Sequence, residues 1–109
     1  MQIIESNREQ IEEQALIFSA FADHTRLKLV KILCRQRHPD ALCVNALARL
    51  LGVTQPAISQ HLRVLKAIGL VKAERRGYHI HYFINRAVLD HCRELASMAM
   101  STMVPVNEE

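Results

Sequence analysis

Three groups of side chains in this 109-residue sequence have types and spacings that could do chemistry. The first is the run Gln55, Ser59, Gln60, Arg63 and Lys66, whose spacings of three and four place them on one side of a helix, opposite Ile58, Leu62 and Leu65. Gln can bond adenine through two atoms, Ser can serve either base, and Arg matches the guanine edge or a phosphate. His61 lies near this face and has two readings: contact with a base or the backbone, or partial packing beside Leu62. The second group is Asp90, His91 and Glu94. Imidazole and carboxylate at these spacings could hold zinc or nickel across two subunits, and the same spacing is ordinary for a solvated ion-pair face. His79 and His81 also share a side of a strand, but two ligands do not complete a structural zinc site. The third group is Cys34, Cys43 and Cys92, an odd number at irregular spacing, which argues against a disulfide framework and offers no Cys-x-x-Cys redox pair. No Gly-rich phosphate loop, His-Glu-x-x-His or Gly-x-Ser-x-Gly is present, so an enzyme is not expected.

Charge is distributed unevenly. Residues 24–89 carry twelve of the fourteen Lys and Arg but only Asp40 and Glu74 as acids, whereas the two flanks carry nine acids against Arg8 and Arg93. A basic centre between acidic ends suggests a middle that faces a polyanion and terminal segments with another task. Half of the residues are hydrophobic and only 5% are aromatic, so the core must be aliphatic. The length allows one domain, 1–109. The opening residues lack a basic start followed by an apolar run, and no stretch approaches a membrane span, so a cytoplasmic protein is expected.

The elements that must position these groups read as follows. Residues 8–22 form a helix with Ile11, Ala15, Phe18 and Ala22 on one face. Asp23 caps a second helix to about Gln36, with Lys28, Lys31 and Arg35 on a wet edge and Leu27, Leu29, Val30, Ile32 and Leu33 forming a broad apolar stripe that Cys34 closes. A turn around Pro39 follows. A short helix then runs from about Val44 to Leu51 and stops at Gly52. Thr54 caps the next helix, with Pro56 in its first turn, and Gly69 ends it. Two short helices around a tight Gly-containing turn make a helix-turn-helix. A hairpin comes next, with its turn at Arg75-Arg76-Gly77 and a strand over 78–84 that puts Ile80, Tyr82 and Ile84 on one face and His79, His81 and Phe83 on the other. Asn85 caps a final helix with the stripe Val88, Cys92, Leu95, Ala99 and Met103. The order is α-α-α-α-β-β-α, a mainly α fold with a β-hairpin.

With GVTQPAISQHLRVLKAIGLVKAERRG in view, the chain resembles the ArsR/SmtB family of winged helix-turn-helix repressors over nearly its whole length. The specific parts are FADHTRLKLVKIL, LCVNALARLLGVTQPAISQHLRVLKAIGLV and RRGYHIHYFI. The resemblance implies a homodimer built by the first and last helices, operator binding by the second helix of the motif with help from basic wings, and release by an inducer. The departures concern sensing. His24 stands where the family usually has Pro. The arsenic and cadmium sensors carry Cys-Val-Cys where this chain has Cys43-Val44-Asn45, and the zinc type carries Asp-x-His followed by paired His where this chain has Asp90-His91-Cys92 and no later His. Cys43 therefore matches the first sulfur position only. It needs partners from Cys34, Cys92 or a second protomer to hold a thiophilic ion, and the other reading is a small buried hydrophobe.

These readings combine into one expectation. Gln55, Ser59 and Gln60 read bases, with His61, Arg63 and Lys66 beside them, while Arg75 and Arg76 at the hairpin tip reach phosphate or the minor groove and Lys72 adds charge. Two copies on a twofold axis would read an inverted repeat in double-stranded DNA. The inducer, if the chain has one, is a metal ion, a metalloid or a thiol-reactive signal at Cys43 or at Asp90, His91 and Glu94. The alternative is a constitutive or architectural DNA-binding protein with none.

Overall fold

The computed structural model describes residues 8–37 and 41–107. The turn expected around Pro39 falls largely outside them. The order of elements is α1 (Arg8–Phe21), α2 (His24–Arg35), α3 (Val44–Leu51), α4 (Gln55–Ala67), β1 (Val71–Arg76), β2 (His79–Ile84) and α5 (Arg86–Ser101). This is the winged helix-turn-helix arrangement expected from the sequence.

Local chemistry sets the helix ends. The Asp23 carboxylate accepts from the backbone N–H of Arg26 at 3.0 Å, Thr54 Oγ1 from that of Ala57 at 3.3 Å, and Asn85 Oδ1 from that of Val88 at 3.4 Å. Each satisfies one of the orphan donors at a helix start. At the end of α3, Gly52 adopts φ 65°, and the next N–H, that of Val53, reaches back to Ala48 O at 3.1 Å. A side chain is disfavoured at that left-handed position, so the turn of the helix-turn-helix depends on glycine there.

The main core is aliphatic. Ile58, Leu62 and Leu65 of α4 pack with Leu29, Val30 and Leu33 of α2, Leu47 and Ala48 of α3, and Leu70 and Val71 at the start of the hairpin. Each fully buried Leu or Ile here contributes about 1.5–3 kcal/mol. The hairpin is antiparallel, with Val71 opposite Ile84 and Arg76 opposite His79. Gln36 fastens it to α2: its side-chain amide donates to Tyr82 O at 2.5 Å and accepts from the N–H of Leu42 at 3.0 Å. A single antiparallel bridge joins Cys43 to His81.

The structure corrects the expected face of α1 and the expected hairpin turn. The buried face of α1 is Gln14, Ile17 and Ala20, whereas Ile11, Ala15, Phe18 and Ala22 lie exposed. Helix α1 carries apolar side chains on more than one face, so periodicity does not choose between them. The choice is made by α5, where Cys92 and Leu95 cluster with Ile17 and Gln14 Nε2 donates to Leu95 O at 3.2 Å. The hairpin turn is also shifted. Arg75 and Arg76 belong to β1, and the tip is Gly77-Tyr78, with Gly77 at φ 64°. Strand pairing extends further than the alternation implied because Arg75 and Arg76 have partners in Ile80 and His79.

The molecule is elongated, 61 × 24 × 23 Å, with a radius of gyration of 17.0 Å. A compact chain of this length would have about 13 Å.

The cap at Asp23 yields a pH prediction. The Arg26 backbone N–H, with the nearby Arg26 charge adding to it, holds its carboxyl below the ordinary carboxylate range against the opposing effect of burial. Stability from this depressed group is fully present above the unfolded value of about 3.9 and is lost as pH falls through the folded value. Thermal melts should therefore show Asp23→Ala less stable than the parent protein near neutral pH, with the gap narrowing below about pH 4. A gap of constant size down to the acid limb would contradict this account of the cap.

Candidate nucleic-acid interface

Burial of Ile58, Leu62 and Leu65, each 2% exposed or less, turns the opposite side of α4 to solvent. Gln55, Ser59, Gln60, Arg63 and Lys66 are all exposed on it. The start of α4 faces the hairpin: Gln55 and Ser59 line one wall of a cleft of about 370 Å³, with Tyr78, His79, Ile80 and Tyr82 on the other and Cys43 and Asn45 nearby. Amide and hydroxyl groups at the helix front thus stand beside the wing on one surface. Exposed Lys72 and Arg75 lie on β1, with Arg75 paired to Ile80 of the cleft and Lys72 paired to Phe83 on the other face of the hairpin, and the central basic residues are little offset by acids.

The two wing arginines differ. Arg75 is exposed. The guanidinium of Arg76 lies 4.9 Å from the centre of the Phe83 ring, its Nε is 3.6 Å from Glu74 Oε1, and its side chain is 25% exposed. Stacking over the ring uses the guanidinium face, while Nε at its edge faces Glu74. Tyr78, 99% exposed, occupies the tip that sequence reasoning assigned to the arginines. The signal for it was the Gly77-Tyr78 pair, since a glycine at a left-handed turn position makes its neighbour the outermost side chain.

His61 points away from the front of α4. Its Nδ1 lies 3.2 Å from Arg26 Nη1 and 3.8 Å from Asp23 Oδ2, and the ring is half-buried. Arginine only donates, so the Arg26 contact requires an unprotonated Nδ1. Of the two sequence readings for His61, the geometry favours packing behind the helix. Arg26 is a residue that sequence reasoning missed. The only hint was its place three residues after the cap Asp23, which does not reveal where so long a side chain ends.

Comparison with known proteins fits this geometry. Residues 23–73 match the family described as "Bacterial regulatory protein, arsR family". The chain is 37% identical over 94 residues to the transcriptional repressor SmtB homolog of Synechocystis sp., covering 79% of this chain and 68% of that protein. The chain belongs to the ArsR/SmtB family. Among solved structures it resembles an ArsR-like transcriptional regulator from Rhodococcus sp. RHA1, with TM-score 0.70, 29% identity, and coverage of 84% of this chain and 83% of that one. It shares the fold of a homodimeric winged helix-turn-helix domain from Mycobacterium bovis, with TM-score 0.67, 23% identity, and coverage of 94% and 93%. Like its relatives, this ArsR/SmtB-family chain is a transcriptional regulator with a winged helix-turn-helix DNA-binding domain and is not an enzyme.

Of the four candidate sensor residues, His91 and Asp90 are already engaged. His91 Nε2 lies 2.8 Å from Glu13 Oε1, joining α5 to α1, and Asp90 Oδ1 accepts from Arg93 Nη1 at 3.2 Å. Glu94 is exposed one turn further on. Cys43 sits half-buried at the N-cap of α3, where its side chain makes no capping hydrogen bond. Among the described residues no three His, Cys, Asp or Glu side chains converge to hold a metal ion. Within one protomer these residues do not fit the metal site that the family resemblance implies. No helix among the described residues is long and apolar enough to cross a membrane.

The thiols separate by exposure. Cys34, expected to close the apolar face of α2, is exposed instead, because Leu29, Val30 and Leu33 fill the buried face and residue 34 falls outside it. Cys92 is 4% exposed, and burial, reinforced by the charge of Glu13, pushes its thiol up from its ordinary value. Since the thiolate is the reactive form, a thiol reagent should label Cys34 first and Cys43 more slowly, leaving Cys92 unmodified until the protein unfolds. Mass spectrometry of timed labelling checks this order, and early modification of Cys92 in the folded protein would contradict it.

Proposed function

We propose that this chain is a homodimeric transcriptional repressor in which the α4 helices of two protomers read successive major grooves of an inverted-repeat operator. The observation that carries the reading is the exposed polar face of α4 set beside the hairpin, whose first strand carries Lys72, Arg75 and Arg76. Gln55, Ser59 and Gln60 lie toward the start of the helix, the end that reaches base edges in this motif. Arg63, Lys66, Lys72 and Arg75 supply phosphate contacts, Tyr78 enters at the wing tip, and Arg76 adds to the wing while braced on Phe83. The whole chain, 1–109, acts as one DNA-binding unit in the cytoplasm.

Dimerisation by α1 and α5 is supported by the apolar side chains these helices leave uncovered. Ile11, Leu16 and Phe18 are exposed on α1, and Met98 and Met100 on α5. The Mycobacterium bovis domain of the same fold is described as homodimeric.

Release by an inducer completes the repressor reading, with a metal shared between protomers or a thiol-reactive agent at Cys43 as the signal. The hydrogen bond of His91 with Glu13 and the ion pair of Asp90 with Arg93 favour a second reading, a constitutive regulator that responds to no such signal. Fluorescence anisotropy on inverted-repeat duplexes, with and without Zn(II), Ni(II), As(III) and a thiol oxidant, separates the two. Specific binding relieved by one of these agents supports the inducible repressor, specific binding unaffected by all of them supports the constitutive one, and failure to bind any duplex specifically removes both.

Single substitutions test the assignments. Gln60→Ala should relax preference at one base position in each half-site, by about 1–3 kcal/mol of discrimination. An equal loss on every operator variant would show that Gln60 does not read a base. Arg75→Ala should weaken binding to all sequences and flatten the slope of log K against log salt by about 2 for a dimer losing two phosphate contacts.

A further inference from the structure

We propose that Arg26 is a positioning residue for DNA recognition: its guanidinium clasps the end of α1 to His61 on α4, and so sets the angle at which each recognition helix leaves the dimer. The inference rests on the DNA-binding reading above.

Three segments meet at this one residue. Its Nε donates to Ala20 O at 2.6 Å and its Nη2 to Ser19 O at 3.3 Å, both on the last turns of α1. Its Nη1 donates to His61 Nδ1 at 3.2 Å, in the middle of α4. Its own backbone N–H is held by the Asp23 carboxylate that caps α2. The guanidinium therefore spans from the helix that carries the open apolar face to the helix that carries the base-reading face. Its charge also lies against the carbonyl end of α1, where a cation is favoured. A planar fork suits this task because its donors point in fixed, separate directions, whereas a lysine ammonium presents all its donors from one point.

A second contact completes the geometry. Ile68, just past α4, packs against the Ile17 cluster that α1 shares with α5. Helix α4 is thus tied toward α1 at two places along its length, by apolar contact at the end and by the clasp in the middle, and two points define a direction where one leaves a pivot. His61 directly follows Gln60 and lies two residues before Arg63, so the bond behind the helix holds toward α1 the same stretch that presents these side chains in front. With α1 at the dimer seam, the same bond relates the two recognition helices to each other.

The experiment compares the parent protein with His61→Leu, His61→Gln, Arg26→Lys and the double variant carrying His61→Leu and Arg26→Lys. Operator affinity is read across several salt concentrations, on duplexes whose half-site spacing is changed by one base pair in either direction, with sedimentation and thermal melts to confirm folded dimers. His61→Leu should lose on the order of tenfold in affinity for the preferred spacing while tolerating altered spacing better than the parent. His61→Gln, whose carbonyl can accept from Arg26, should recover most of the loss. The salt slope should stay unchanged, because no phosphate contact is removed. Arg26→Lys should behave like His61→Leu, and the double variant should be no worse than either single one, as for two halves of one interaction. Unchanged affinity and spacing preference, a flattened salt slope, or additive losses would each overturn the proposal. Should Arg26→Lys fail to form a folded dimer, the His61 pair decides by itself. Absence of specific binding by the parent protein would instead overturn the DNA-binding reading, and this inference with it.

Discussion

The structure depends on the burial of one stripe, Ile58, Leu62 and Leu65, beneath α4. These side chains pack with residues of α2, α3 and the start of the hairpin, so the helix can neither roll nor slide without opening the core. A cavity in such a site costs about 2–5 kcal/mol, a large share of what a domain of this size has to spare. The polar face of α4 is then exposed as a consequence, and so are the amides and guanidinium on it. Gly52 and Thr54 act earlier in the same chain of cause. The left-handed glycine ends α3, the threonine hydroxyl starts α4, and little freedom remains between the two helices.

Around this centre the chain divides its labour by charge and by apolar surface. The basic middle carries the helix-turn-helix and wing, and the acidic flanks carry α1 and α5, which join each other through Ile17, Cys92, Leu95 and the Gln14 bond. That seam is thin, and both helices keep large apolar side chains in solvent.

Membership of the ArsR/SmtB family accounts for the architecture but leaves the means of regulation to this chain's own residues. Cys43 lacks the second thiol of the family's arsenic and cadmium type, His91 is hydrogen-bonded to Glu13, and Asp90 is paired with Arg93. The backbone bridge between Cys43 and His81 brings a thiol residue to the base of the wing, close to Gln55 and Ser59. Any modification of Cys43 would therefore act beside the candidate DNA-reading surface.

Much of this was legible in the amino-acid order. The caps at Asp23, Thr54 and Asn85, the stop at Gly52, the inward stripe of α4 and the element order are local or periodic, and such features are written in spacing alone. What spacing could not decide was the choice between equally apolar faces, the length of a strand, or the endpoint of a long side chain. Helix α1 buries Gln14 and Ile17 rather than Ile11 and Phe18 because α5 arrives on that side, a contact between residues about eighty positions apart. Arg75 and Arg76 became strand residues because β2 offered partners across the ladder. His61 turned to the back of its helix because Arg26, thirty-five residues earlier, was brought within hydrogen-bonding distance. In each case the deciding interaction lies between groups distant in sequence, and only the folded chain brings them together.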